Sequence, residues 1–222
     1  MNLLLTSAGV KNASIEDALV DMLGKPIPES TALCVPTAVY PMTNGAAMAY
    51  RVISGSASTP MTELGWKSLS VLELTALRSI DESVWIPWVL EVDALLVSGG
   101  DPLYLSYWMK ESGLAERLPS LDDTVYMGVS AGSMVMAPSV GEDFVVWRPP
   151  MGGDATLGLV GFSMFPHLDH PDLPENTMAD AERWAKAMPR PCYAIDDETA
   201  IVVVDDTVAV VSEGHWKLFN PD

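Results

Sequence analysis

Basic residues are scarce in this sequence of 222 residues. Twelve Lys and Arg stand against 30 Asp and Glu, so the formal net charge is −18. Affinity for nucleic acid depends largely on clustered Lys and Arg, so this charge argues against a protein that binds a phosphate backbone. It also disfavours binding to an anionic membrane surface.

Cysteine is scarce as well, with only Cys34 and Cys192 in the chain. Two thiols do not make a disulfide scaffold for a chain of this length. Each cysteine lies in an apolar run typical of a strand, so we interpret both as buried small side chains.

Long apolar runs are absent. The chain has no window of about 18 uninterrupted apolar residues, so the sequence predicts no membrane-spanning helix. The first six residues lack the basic segment of a secretory signal peptide, and we therefore expect a cytoplasmic protein. Hydrophobic residues nevertheless make up 49% of the chain, with seven Trp and 13 Met, which indicates a packed core rather than disorder.

What the chain does contain is an alternation of short apolar runs with longer amphipathic segments. This alternation predicts βαβ units, and strands that are apolar throughout predict a sheet covered by helices on both faces. We therefore predict a doubly wound, mostly parallel α/β fold in one domain over residues 1–222. The predicted strands are 3–6, 32–35, 68–74, 93–98 and 124–129, and the predicted helices are 14–23, 45–53, 84–92, 103–118 and 174–188. Three further strands, 200–204, 207–211 and 216–219, are expected to form a small antiparallel appendage, for which the sheet edge is one candidate place.

One motif carries chemistry. Gly128-Val-Ser-Ala-Gly132 matches G-x-S-x-G, the nucleophile elbow, in which a serine sits on a tight turn from a strand into a helix. Small neighbours are needed at such a turn, and the free N–H groups of the next residues can stabilise an oxyanion. A strand-like run leads into the motif, so we predict that Ser130 is a nucleophile.

A second glycine-rich turn, Ser98-Gly-Gly-Asp101-Pro102, follows the fourth predicted strand. Asp101 suits a helix N-cap, and Pro102 suits the first helical position. The carboxyl ends of parallel strands meet at one edge of a sheet, so Gly99 or Gly100 is expected to present an N–H to the same oxyanion as Ala131.

Only three histidines can serve as the base that such a serine needs. His167 follows an apolar segment and a proline, and we predict it as the base. His170 is expected to be a neighbour or a substrate contact, and His215 resembles a hairpin-turn residue. A metal site at His167-Leu-Asp-His170 is not favoured, because a third His or Cys ligand nearby is missing.

The third member of a catalytic triad is a carboxylate that orients the imidazole. Between Ser130 and His167 the acidic residues are Glu142, Asp143 and Asp154. We expect Asp143, with Glu142 as a close second, because the segment that they begin could run along the site. Asp154 is expected at a loop tip.

Together, Val97-Ser-Gly-Gly-Asp101, Gly128-Val-Ser-Ala-Gly-Ser133 and Phe165-Pro-His167 resemble the dipeptidase E (aspartyl dipeptidase) family of serine peptidases, to which cyanophycinase is related. The resemblance implies a class I glutamine amidotransferase-like, flavodoxin-like α/β fold and no cofactor. It also implies that Ser130 is the nucleophile and His167 the base, and that Gly100 and Ala131 form the oxyanion hole.

The sequence departs from the family pattern at three places. The family's Gly-Gly-Asn and Asn-Pro-His are Gly-Gly-Asp and Phe-Pro-His here. The arginine that the family is expected to use for an N-terminal Asp side chain is replaced by Glu182, with Arg183 one step along. One step turns a helical side chain by about 100°, so strict Asp-X specificity is not predicted. His170 and Arg183 remain the candidate substrate contacts.

These features predict a serine peptidase that hydrolyses short peptides through an acyl-enzyme, as a monomer or homodimer. A glutamine amidotransferase is excluded because it needs a cysteine where this chain has Ser130. Two alternatives stay open: an α/β-hydrolase-type esterase, with His215 as its late histidine, and a catalytically inactive binding module on the same fold.

Overall fold

The computed structural model describes residues 1–221. Within this range the strands are β1 Asn2–Thr6, β2 Thr31–Val35, β3 Ser68–Val71, β4 Ala94–Val97, β5 Val125–Val129, β6 Ser163–Phe165, β7 Cys192–Ile195, β8 Thr199–Val204, β9 Thr207–Ser212 and β10 Trp216–Phe219. The helices are α1 Ala13–Leu23, α2 Gly45–Ile53, α3 Leu74–Leu77, α4 Glu82–Leu90, α5 Pro102–Glu111, α6 Leu114–Arg117, α7 Ala131–Met134 and α8 Met178–Ala187. None of them is both long and apolar enough to cross a membrane.

Seven strands form the main sheet, in the order β3-β2-β4-β5-β1-β8-β9. The first five are parallel to one another, and β8 and β9 are antiparallel to their neighbours. This confirms the predicted α/β fold with a mostly parallel sheet. Of the three predicted C-terminal strands, β8 and β9 are antiparallel and extend the main sheet at its edge beside β1, whereas β10 joins a second sheet.

A second sheet has the order β10-β7-β6, with β6 and β7 parallel. It places the loop after Phe165 beside the turn after Ile195, because both follow the carboxyl ends of paired strands. This arrangement brings together parts of the chain that are 30 residues apart.

Apolar side chains cover both faces of the main sheet. Leu3 and Leu5 of β1 belong to one buried cluster, whereas Leu4 belongs to the other. Successive residues of a strand point to opposite faces, so the continuous apolar sequence of β1 fills two cores at once. Burial of each such leucine side chain contributes about 1.5–3 kcal/mol. A third cluster surrounds Trp184 of α8.

Helix ends differ from the sequence prediction in four places. α4 is Glu82–Leu90 rather than 84–92, with Pro87 inside it. Asn12, rather than Ser14, caps α1, while the predicted Gly24 does end it in the left-handed conformation. The long predicted helix 103–118 is divided into α5 and α6, since Gly113 has φ 81° between them. α8 begins at Met178, after a capping box of Thr177 and Asp180, rather than at Pro174.

Candidate active site

Ser130 occupies the turn between β5 and the one-turn helix α7, with φ 49° and ψ −111°. Such a backbone conformation is strained for a residue with a side chain. The glycines on either side make the turn possible. A Cβ at Gly128 would lie 2.6 Å from the Gly132 carbonyl oxygen, and one at Gly132 would collide with the carbonyl oxygen of Val97.

Hydrogen bonds to the end of β1 hold this turn in place. The Ser130 amide and the Ser133 hydroxyl both donate to the carbonyl oxygen of Thr6, at 2.9 and 2.8 Å. The Thr6 hydroxyl in turn donates to the Gly128 carbonyl at 2.8 Å. The strain at Ser130 is therefore maintained by buried neighbours rather than by the motif alone.

The Gly-Gly turn lies against Ser130, as predicted. A Cβ at Gly99 would be 3.3 Å from Cβ of Ser130. Gly100 has φ 139°, a conformation available essentially to glycine only, and a Cβ there would collide with the carbonyl oxygen of Ala38. Ala131 is the first residue of α7, so its amide has no acceptor within the helix.

The structure explains why this turn carries Asp101 rather than asparagine. Its Oδ1 accepts from the amides of Leu103 and Tyr104, which caps α5, and its Oδ2 accepts from the Trp147 amide at 2.8 Å. All three partners are donors, and a carboxylate accepts at both oxygens. Asparagine would turn an NH₂ group toward one of these donors. The buried Asp101 therefore ties the segment around Trp147 to the Gly-Gly turn.

His167 follows β6 and Pro166, and its backbone has φ 57°. Its amide donates to the buried hydroxyl of Ser7 at 3.1 Å, and that hydroxyl donates to the Ile195 carbonyl at 3.0 Å. The Nδ1 atom of His167 lies 2.7 Å from Oδ1 of Asp197. Because Nδ1 is engaged by this carboxylate, Nε2 is the ring nitrogen left for chemistry.

The carboxylate hydrogen-bonded to the imidazole is thus that of Asp197, whereas the expected Asp143 and Glu142 make no hydrogen bond to it within residues 1–221. Burial by itself would raise the pKa of Asp197, but the hydrogen bond from His167 and the nearby charges of His167, His170 and Lys11 outweigh it. The net effect is a lowered pKa. Asp197 is therefore ionised in the pH range where a peptidase works.

The expected acids lie elsewhere for a physical reason. Glu142 and Asp143 are exposed on a short 3-10 turn after Gly141. Asp154 accepts a hydrogen bond from the Gly141 amide at 2.9 Å, so it stabilises this loop. The prediction assumed that the acid precedes the histidine in the chain, whereas the pairing of β6 with β7 brings a later residue to His167.

Ser130 and His167 line the same cavity of about 250 Å³. The structure has no hydrogen bond between their side chains within residues 1–221, and such bonds often tighten only when substrate binds. Apolar side chains also line this cavity, together with Ser58 and Thr59. They are Val39, which follows β2, and Met48 and Val52 of α2.

Of the two candidate substrate contacts, neither lines this cavity. Arg183 is exposed on α8 and pairs with Asp180 at 2.7 Å, as expected for a helical residue that faces away from the site. His170 instead approaches the acid, with Nε2 3.6 Å from Oδ2 of Asp197. The cation that does line the cavity is Arg51, at the end of α2.

Sequence reasoning therefore missed Asp197, Ser7 and Arg51. The one available signal for the acid was Asp196-Asp197-Glu198, three consecutive carboxylates directly after an apolar strand-like run. Polar residues at the carboxyl end of a strand are common at active sites of α/β proteins. Ser7 and Arg51 had no comparable signal.

The cysteines are buried, as predicted. Burial raises the pKa of the Cys34 thiol to about 12 and that of Cys192 to about 11. A nucleophilic cysteine must form a thiolate near neutral pH, so neither residue competes with Ser130.

Comparisons with known proteins point to one peptidase family. The model of Peptidase family S51 matches residues 3–211. A curated peptidase E of Streptomyces coelicolor is 38% identical over 86 residues, which are 37% of this chain. The match spans only 35% of that relative's length.

Two solved structures share the fold. One is a Listeria monocytogenes EGD-e protein assigned as a peptidase E, with a TM-score of 0.64 over 96% of this chain and 98% of that one. The other is a peptidase from an acI-B1 Actinobacterium, with a TM-score of 0.68 over 99% and 94%. Both are 18% identical in sequence, so they establish the architecture around the site rather than its substrate.

Proposed function

The chain belongs to peptidase family S51, and we propose that it is a serine peptidase that hydrolyses short peptides with Ser130 as its nucleophile. The main support for this proposal is that a serine with a strained backbone and an imidazole hydrogen-bonded to a carboxylate line the same cavity. This is the arrangement that converts a serine hydroxyl into a nucleophile.

In the proposed acylation step, Nε2 of His167 takes the proton from Oγ of Ser130 while Oγ bonds to the peptide carbonyl carbon. The carbonyl electron pair moves to oxygen, and the amides of Gly100 and Ala131 donate hydrogen bonds to the resulting oxyanion. Asp197 stabilises the imidazolium that forms. The C–N bond then breaks as Nε2 returns the proton to the leaving amine.

Deacylation repeats these steps with water. His167 takes a proton from the water molecule, the hydroxide oxygen bonds to the acyl carbon, and the ester bond to Ser130 breaks. Ser130 recovers its proton from His167, so the enzyme returns to its starting state.

The size and charge of the cavity support a short substrate. About 250 Å³ is below the usual range of roughly 300–1,000 Å³ for sites that hold drug-sized ligands. Arg51 lines it, and no ion pair formed within residues 1–221 involves its guanidinium. We propose that Arg51 binds a carboxylate of the peptide, either at its C-terminus or on an acidic side chain.

The esterase alternative needs His215 as the base. That residue does not line the cavity, and its ring lies between Asp169 and Asp196. A catalytically inactive binding module would not need an imidazole held by a carboxylate in the cavity of Ser130. In this structure, however, His167 is hydrogen-bonded to Asp197. The geometry therefore favours the peptidase.

The test is hydrolysis of a panel of dipeptides with free N-termini by the wild-type protein and by Ser130→Ala. We expect hydrolysis of at least one dipeptide and a loss on the order of 10⁴-fold or more in kcat with the variant. Ser58→Ala, which removes a hydroxyl from another wall of the cavity, should retain most of the activity. Unchanged hydrolysis by Ser130→Ala would overturn the proposal.

A further inference from the structure

His215 lies between two carboxylates that belong to different loops. Its Nε2 atom is 2.9 Å from Oδ2 of Asp169, and its Nδ1 atom is 3.0 Å from Oδ2 of Asp196. The backbone amide of His215 also donates to Asp196 Oδ2 at 2.7 Å. One residue of the connection between β9 and β10 thus contacts two separate segments of the chain. Because β9 and β10 belong to different sheets, this connection is not the hairpin turn that the sequence suggested for His215.

These two segments carry the base and the acid of the proposed triad. Asp169 is two residues after His167 in the loop that follows β6, and Asp196 directly precedes Asp197 in the turn that follows β7. The position of the His167 ring relative to Asp197 therefore depends on how this loop and this turn are held together.

Asp196 is firmly fixed. It is buried, and its Oδ1 accepts from the Glu198 amide at 3.1 Å and from the Thr199 hydroxyl at 2.6 Å. A Cβ at Gly214 would collide with its Oδ2, so only glycine lets the β9–β10 connection approach this closely. This connection and the turn that carries Asp197 are therefore tightly packed together.

Asp169 is anchored on its own side. Its Oδ1 accepts from the Met178 amide at the start of α8, at 3.1 Å, and its amide donates to the Asn176 carbonyl at 2.7 Å. Only Oδ2 is left to reach His215. The bridge through His215 thus joins two carboxylates that are both already held.

The chemistry of imidazole suits such a bridge. A neutral ring has one N–H and can donate to one carboxylate, whereas an imidazolium donates from both nitrogens and carries a positive charge. With an acidic oxygen at about 3 Å from each nitrogen, the protonated ring satisfies both neighbours. It also leaves no ring nitrogen to act as a base.

We infer that His215 is a positioning residue, which clamps the loop of His167 to the turn of Asp197 and so keeps the imidazole against its carboxylate. The inference rests on the proposed function. A backbone hydrogen bond from Leu168 to Ile195, at 3.0 Å, also joins the two segments, so loss of the clamp loosens the pair without separating it.

The first test is steady-state hydrolysis by His215→Ala, Asp169→Asn and the double variant. Small misplacement of a catalytic group is costly, so we expect each single variant to lose about tenfold in kcat with KM changed less than about twofold. The double variant should lose no more than either single one, because both remove the same bridge. Lys217→Ala, which removes an exposed ion pair of the neighbouring strand β10, should keep wild-type kcat.

The second readout is the NMR resonance of the His167 Nδ1 proton, which is expected downfield because of the hydrogen bond to Asp197. It should broaden or move upfield in His215→Ala and stay unchanged in Lys217→Ala. Wild-type kcat in His215→Ala, multiplicative losses in the double variant or an unchanged resonance would overturn the clamp. Failure of the proposed function is a separate result, in which His167→Ala itself keeps full hydrolysis.

Discussion

At the scale of single residues, the site depends on backbone conformations that cost energy. Ser130 with φ 49° and Gly100 with φ 139° lie in sparsely populated regions, and such positions cost about 1–3 kcal/mol for a residue with a side chain. The surrounding packing holds both. Because only glycine fits at fixed places around such turns, the elbow and the Gly-Gly turn could be predicted from the sequence.

The acid could not be predicted in the same way. A proline and a strand end marked His167, but nothing local in the sequence marks Asp197 as its partner, since Asp196 and Glu198 are equally acidic neighbours. Asp196 accepts a hydrogen bond from His215 in the β9–β10 connection, whereas Asp197 reaches His167. Which of three adjacent carboxylates meets the imidazole is decided by the pairing of β6 with β7.

Gly100 gives a direct test of the backbone strain at the Gly-Gly turn. Gly100→Ala is expected to lower the free energy of unfolding by about 3 kcal/mol or more. The new Cβ would collide with a carbonyl oxygen, and the alanine would also have to adopt an unfavourable φ. Gly153→Ala is the control: its φ is 80° with open space around the Cβ position, so about 1–2 kcal/mol is expected. Urea unfolding of both variants measures the difference, and equal losses would contradict this interpretation.

At the scale of elements, apolar runs predicted the parallel strands well, because a strand buried on both faces must be apolar throughout. α2 was predicted at its observed bounds, Gly45–Ile53. The strand β3 is shorter than predicted, since Leu74 already begins α3. A single glycine such as Gly113 is itself a local sequence signal for the end of a helix. The helical pattern of 103–118 continues past this glycine, so the prediction joined α5 and α6 into one helix.

The pairing of the strands could not be predicted from these apolar runs. Short β-branched runs between turn residues predict strands at 200–204 and 207–211, but they do not show that β8 lies beside β1. Likewise β6 has only three residues, and its partner β7 follows about 27 residues later. Register between distant segments is determined by packing of the whole chain, so the second sheet, and with it the His167–Asp197 pair, could not be predicted from the sequence.

At the scale of the whole molecule, the charge of −18 makes the placement of cations informative. Arg51 lines the cavity, and Lys11 hydrogen-bonds to the Ser58 carbonyl beside it at 3.0 Å. An acidic surface repels anionic peptides at a distance, to an extent that salt reduces. A local cation at the site would then select, among short peptides, those with a carboxylate within its reach.

Arg51→Met tests this selection. For peptides whose carboxylate reaches residue 51, kcat/KM should fall about 10- to 100-fold, the usual range for loss of a hydrogen bond to a charged group. Comparison of Asp-X dipeptides, neutral dipeptides and their C-terminal amides identifies which carboxylate is bound. Arg183→Met, on the exposed face of α8, should change kcat/KM less than about twofold. An equal loss for all peptides would contradict carboxylate recognition.

The central claim is that Ser130, His167 and Asp197 act as one catalytic unit, and the activity of Asp197→Asn tests it most directly. An asparagine at this position would favour the wrong tautomer of His167, so kcat should fall on the order of 10³- to 10⁴-fold. Asp143→Asn and Glu142→Gln, which alter exposed carboxylates of the 3-10 turn, should retain wild-type kcat. Full activity in Asp197→Asn, or an equal loss in Asp143→Asn, would contradict the account.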